Sequence, residues 1–141
     1  MSYYTNEERE KLVGLLGFEP GEVSITPEEY NILPKNKRPK FNIRKMDAEL
    51  QAEYSEIFKK KCEKIQKEKK TKTLNDADVI RASSYAALKT CLKGWENYRS
   101  AEGKKAVFGK NKQGQPLDMT ISILPTKIQQ LLSNAVFGDV N

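Results

Sequence analysis

Histidine is absent from this 141-residue chain, tryptophan occurs once and cysteine twice. The histidine and cysteine counts each remove a class of chemistry. Without histidine the usual general base near neutral pH is missing, and histidine triads and zinc–histidine sites are excluded. Two cysteines cannot supply a four-thiolate metal site. Cys62 and Cys91 both fall on helical apolar stripes and read as core thiols; a disulfide between them stays open, although with no secretory signal the reducing cytosol is the expected compartment. No apolar run approaches the roughly 20 residues of a membrane span, and Met1 to Glu10 is polar and acidic where a signal peptide would be basic and then apolar. The expectation is a soluble, cytoplasmic, non-enzymatic chain with no cofactor, no metal and no membrane partner.

What is present is enough for one modest core, with 38% apolar residues. Residues 1–38 read as an N-terminal helical extension and basic connector, and residues 39–141 as a helical domain, one compact unit overall. Thr5 and Glu8 have capping-box spacing ahead of Leu12, Val13, Leu15 and Leu16, with Gly17 as the stop. Phe18 to Ile25 carries a turn at Pro20-Gly21, and Thr26-Pro27-Glu28-Glu29 reads as a second capping box opening a short helix that Pro34 ends. After the connector Lys35 to Pro39, Phe41 and Ile43 alternate with Asn42 and Arg44 as in a short half-buried strand.

From Asp47 the period changes. Leu50, Tyr54, Ile57, Phe58, Cys62 and Ile65 recur at three- and four-residue steps, which predicts a long amphipathic helix over Asp47 to Lys69. Asn75 or Thr73 then caps a second helix whose buried side is read as Val79, Ile80, Ser83, Ala87, Leu88, Cys91, Leu92, Trp95 and Tyr98. A short linker makes the two an antiparallel pair. Ala82, Ser83, Ser84, Ala86 and Ala87 either permit close helix contact or are neutral surface. Gly94 would cost about 1 kcal/mol inside a helix, so either another backbone approaches there or the helix is already ending. Ser100 to Pro116 is a polar loop or weak hairpin anchored by Val107-Phe108, and Pro125 opens a last helix with Ile128, Leu131, Leu132, Ala135 and Val136 on one stripe, ended by Gly138. The fold class is mainly α: a small helical bundle with a long antiparallel helix pair, a short strand or hairpin, and a C-terminal helix.

Charge is unevenly placed. Lys35 to Lys72 holds 14 basic and 6 acidic residues, a local net of +8 against +6 for the whole chain, so the remainder is slightly acidic. Lys59, Lys60, Lys61, Lys64, Lys67, Lys69 and Lys70 are candidate phosphate contacts of a nucleic-acid footprint. The favoured reading is a solvated helix face, because the run is lysine rather than arginine and carries no interleaved stacking aromatics. The carboxylate pairs Glu7/Glu8 and Glu28/Glu29 sit in predicted first turns, where acidic residues cap helices. Gly103-Lys104-Lys105 and Gly109-Lys110 lack the spacing of a phosphate loop. Trp95 and Tyr98 follow the apolar stripe, so core packing is the default and an aromatic partner anchor the alternative. Tyr3 and Tyr4 are partner contacts or a staple onto the first helix. The final helix is a binding surface or the lid of the fold.

Phe41-Asn42-Ile43-Arg44-Lys45-Met46 ahead of an acidic helix start, the helix ending Cys91-Leu92-Lys93-Gly94-Trp95-Glu96-Asn97, the Glu102-Gly103 turn with Val107-Phe108, and Leu124-Pro125 opening a last helix together resemble small tail-assembly proteins of long-tailed bacteriophages, above all tail assembly chaperones. The likeness runs from about Pro39 to Gly138. It implies a non-enzymatic viral protein in the host cytoplasm that binds the long helical tape-measure protein, shields its apolar heptads and helps tail-tube subunits assemble. On this reading the contact face is Trp95, Tyr98, Ile128, Leu131 and Leu132. Two alternatives stand beside it: a basic module acting on nucleic acid or on a host nucleic-acid-bound defence complex, and a structural virion component. Homo-oligomerisation is left open.

Overall fold

A computed structural model describes residues 3, 5–8, 11, 15 and 22–138. Its centre is a three-stranded antiparallel sheet in the order β1-β2-β3, formed by Glu22–Ile25, Lys40–Arg44 and Leu92–Glu96. The alternation expected around Phe41 is realised in β2, where Phe41 and Ile43 are fully buried while Lys40 is exposed. Val23 pairs with Ile43 and Ile25 with Phe41, so both edge residues join the apolar face. β1 falls in a stretch read from sequence only as a turn region, because four residues are too few to establish a period of two.

The capping box expected at Thr26 does not form. The Thr26 hydroxyl donates instead to the Pro39 carbonyl at 2.9 Å, and Glu28–Ile32 is a 3-10 helix entered from Pro27 without a side-chain cap. Pro34 separates it from a second 3-10 turn, Lys35–Lys37. The first capping box is present: Glu8 N–H donates to Thr5 Oγ1 at 3.1 Å, and Thr5 N–H to Glu8 Oε1 at 3.0 Å. Leu15 is exposed; Leu12, Val13, Leu16, Gly17 and the Pro20-Gly21 turn lie outside the described residues.

The long helix, α1, runs Ala48–Lys69, capped by Asp47, whose carboxylate accepts from Leu50 N–H at 2.8 Å. It ends at Lys70 in the left-handed region, φ 54°. Asn75 caps the next helix, α2, Asp76–Cys91, by accepting from Asp78 N–H at 2.8 Å. Lys69 at the end of α1 meets Asp78 in the first turn of α2, and Tyr54 near the start of α1 meets Ser83 deeper in α2. The two helices therefore run back along each other. Ala82, Ala86 and Ala87 are fully buried, which is the close-contact reading of the small residues.

α2 stops at Cys91, seven residues short of the expected Tyr98, and the chain continues as β3. Ile43 pairs with Leu92, Asn42 with Gly94 and Phe41 with Trp95, so Lys93 is an extra residue in a β-bulge. The bulge puts Leu92 and Trp95 on one face at a spacing of three, which imitates a helical stripe. Gly94 lies in the strand, and a Cβ there would meet only Asn42 Nδ2 at 3.9 Å among the described atoms. The helix has ended before the glycine, and no described backbone atom beyond its chain neighbours lies within 4 Å of that Cβ position.

The segment after β3 makes two isolated antiparallel bridges, Arg99 with Lys105 and Lys110 with Pro116, with Gly103 (φ 81°) and Gly114 (φ 79°) at the turns. The weak-hairpin reading holds in this form. A short helix, α3, Asp118–Ser122, escaped the sequence reading, and α4, Thr126–Val136, begins after Pro125 as expected. The chain is mainly helical, but the helices do not form a free-standing bundle: Phe41, Ile43, Leu88, Leu92, Leu132 and Val136 share one core between sheet and helices. Met46 N–H donates to the Val136 carbonyl at 2.9 Å, tying β2 to the end of α4.

Candidate functional site

The two carboxylate pairs are not used alike: Glu7 reaches Lys11 at 3.5 Å, and Glu28 stands in a first turn that has no side-chain cap. Glu8 closes the first capping box, whose Thr5 N–H holds its carboxyl below the usual range, and Glu29 pairs with Lys127 at 3.2 Å. Among the described residues no group of three or more cysteine or acidic side chains could hold a metal ion, and every buried side-chain nitrogen or oxygen has a hydrogen-bond partner. Cys91 is buried and Cys62 partly so, both as free thiols.

The proposed contact face does not stand together on the surface. Leu132 is fully buried, Tyr98 is 6% exposed and Ile128 9%, with Leu131 packed beside them. The stripe of the C-terminal helix thus packs into the protein's own core, against α2 and the end of β2. Trp95 is half-buried: its indole N–H donates to the Ala106 carbonyl at 2.9 Å, and its ring meets Phe108 edge-on at 4.9 Å. Trp95 and Tyr98 are joined at 5.2 Å, as core packing rather than as an open anchor.

The structure also divides the lysine run. Lys69 is consumed by Asp78, donating at 2.6 and 2.8 Å. Lys70 forms the helix C-cap, and with Lys67 it borders a shallow hollow at that end of α1. Lys59 is exposed and does not line that hollow. Lys60, Lys61 and Lys64 come together elsewhere, lining a cleft between α1 and α2. Sequence reasoning missed the residues across from them: Tyr85 and Lys89 in this cleft and Arg81 in the depression adjoining it, spaced by four along α2, a regular step that singles out one helix face. The Lys61 ammonium lies 4.5 Å from the Tyr85 ring centroid. Tyr85 donates to Asp118 at 2.6 Å and Lys89 donates to the same oxygen at 3.0 Å. Burial, and then this bond, push the Tyr85 phenol well up; the tyrosine and Lys89 hold Asp118 down.

On the other side of the α2–α4 contact lies a groove of about 420 Å³. α2 supplies Val79, Ile80, Ser83 and Ser84, and α4 supplies Gln130, Ser133 and Asn134. None of these described lining residues is charged, in a chain that is 31% charged. Val79 and Ile80, expected on the buried side of the helix, are 40% and 50% exposed at its rim. The reason is geometric: α4 covers the neighbouring face of α2 and leaves this one open. At the far end Ser83 Oγ lies 2.9 Å from Tyr54 Oη, and the Tyr54 ring packs against Phe58 and the half-exposed Phe137.

Comparison of the chain with protein-family models, with curated proteins and with solved structures finds no match. Among the described residues no helix is long and apolar enough to cross a membrane.

Proposed function

We propose that this protein is a non-enzymatic assembly factor of the tail assembly chaperone type, which holds a helical segment of a tail protein, the tape-measure protein in particular, until assembly. The single observation that carries the reading is the uncharged groove between α2 and α4. Its walls are short side chains, Ser83, Ser84 and Ser133, which let another backbone come near, and its rim offers the exposed Val79 and Ile80. Such a groove suits the apolar stripe of an amphipathic helix, recognised through anchors at three- and four-residue spacing. The contact face moves accordingly from the buried stripe of α4 to the open face of α2. The charged exterior serves the same role by keeping the complex dispersed.

Co-expression with a heptad-rich fragment of the cognate tape-measure protein tests this. The fragment should aggregate alone and be recovered in a nuclease-resistant complex with the wild-type protein, while Ile80→Glu should lose it without unfolding. A fragment that stays aggregated beside the wild-type protein, or is held equally well by Ile80→Glu, overturns the reading.

A further inference from the structure

The cleft on the opposite side of the α2–α4 contact is a separate site, and no described residue lines both hollows. It consists of two adjoining depressions, about 240 and 330 Å³, that share Lys61, Lys64 and Tyr85. Ile57 and Ile121 add apolar atoms to the lining, and Lys60 and Arg81 stand at the edges.

The positive charge here is incompletely answered from within the chain. Lys60 reaches Glu56 at 3.4 Å with both side chains more than 70% exposed, a contact that holds it weakly. Arg81 approaches Asp78 only at 3.8 Å, and that carboxylate is already taken by Lys69. Lys64 makes no ion pair among the described residues. Lys89 is the exception, fixed by Asp118 and by the Pro116 carbonyl at 2.8 Å.

We propose that this cleft docks an acidic, amphipathic peptide segment of a protein partner, its apolar residues against Ile57 and Ile121 and its carboxylates against Lys64, Arg81 and Lys60. Charge complementarity names the occupant's sign, and the apolar lining names its class. Apolar atoms ringed by cations match the centre and rim of a protein interface. A nucleic-acid strand fits less well. Tyr85 is the one aromatic among the described lining residues; Lys61 lies over its ring and Asp118 holds its hydroxyl, so no free stacking platform is offered to bases. Glu68 and Asp118 also stand in the wall, where they repel a continuous row of phosphates more than a peptide whose carboxylates can be spaced away from them.

The test uses fluorescence anisotropy with a fluorescein-labelled peptide of alternating leucine and glutamate turns, beside a labelled oligodeoxythymidine of equal net charge. The peptide should bind the full chain, bind more weakly as salt rises, and lose about tenfold in affinity with Lys64→Glu and again with Arg81→Glu. Both positions are exposed, so thermal unfolding of each variant should match the wild type. Lys104→Glu and Ile80→Glu, at the distant turn and the apolar groove, should leave peptide affinity unchanged, which keeps this result separate from that of the tape-measure test. Tighter binding of the oligonucleotide, an equal loss with Lys104→Glu, or no peptide binding at low salt overturns the proposal.

Discussion

Lys69 and Asp78 clasp the ends of α1 and α2, with the ammonium 2.6 and 2.8 Å from the two carboxylate oxygens. The Asp78 side chain is only 7% exposed and that of Lys69 44%, so the pair is half-sheltered at the mouth of the helical hairpin. It fixes how tightly the linker between Lys70 and Asn75 closes.

The Lys69 hydrogen bond lowers the Asp78 pKa, and the sign of the pH effect follows. A depressed folded-state pKa contributes stability that is fully present above the unfolded aspartate value of about 3.9 and is lost as pH falls through the folded value. Asp78→Asn should therefore be less stable than wild type at neutral pH and should lose less on acidification. Urea midpoints from neutral pH down to about pH 2 read this directly; parallel curves for the two proteins would contradict it. Asp47 and Asp118 are lowered too, so the acid sensitivity should shrink rather than vanish.

Trp95 is tested by the conservative change. Trp95→Phe keeps a ring against Phe41 and Phe108 but leaves the Ala106 carbonyl without its indole donor. The expected cost is about 1 kcal/mol in chemical denaturation. Trp95→Ala should cost several-fold more, because the ring also closes the edge of the core.

Two glycines separate by what surrounds them. Gly94→Ala meets only Asn42 Nδ2 at 3.9 Å and should be neutral or stabilising by up to about 1 kcal/mol, since glycine weakens a strand. Gly109→Ala places a methyl 3.0 Å from Leu117 Cδ1 and 3.2 Å from Thr120 Oγ1, where that hydroxyl bonds both Gly109 N–H and its carbonyl. A loss of about 1–3 kcal/mol is expected there. Equal thermal shifts for the two variants would refute this assignment.

The thiols should react unequally. Burial pushes Cys91 up to about 11, and its side chain is fully enclosed. Cys62 is only partly covered, and its thiol is raised as well, chiefly by burial. A disulfide-exchange reagent should label Cys62 in the native protein and reach Cys91 only on unfolding. Two equally fast labelling phases would show that the core around Cys91 opens locally.

Ile80→Glu serves as the surface counterpart of these core tests. At 50% exposure it should change stability by no more than about 0.5 kcal/mol while abolishing capture of the helical partner. A stability loss of several kcal/mol would mean that the groove is closed in solution.

The long helix was legible in the sequence because its stripe repeats over many turns and its ends carry their own signals, Asp47 at one and the basic residues Lys67 and Lys69 at the other. A cap at Asn75 or Thr73, of which the structure uses Asn75, and the Pro125 start were legible for the same reason: each is a local hydrogen-bond or backbone constraint. The end of α2 was not. Leu92 and Trp95 have the spacing of a helix, and only pairing with β2 through a bulge at Lys93 makes that spacing a strand. The burial of the last stripe was hidden by a similar ambiguity, since Ile128 and Leu132 look alike whether a stripe meets a partner or its own core.

What the sequence determined by itself is what local chemistry can write: the absence of histidine chemistry, the capped helices, the alternation of Phe41 and Ile43, and the basic bias of one region. The tertiary structure decided which apolar residues are spent on the core and which of the lysines gather. Lys60, Lys61 and Lys64 share a cleft with Tyr85, and Lys61 and Lys64 a depression with Arg81, only because α1 and α2 fold back on each other. Val79 and Ile80 stay open only because α4 lies along one side of α2 and not the other. A periodic stripe states that a face is apolar; what covers it depends on contacts between segments far apart in the chain.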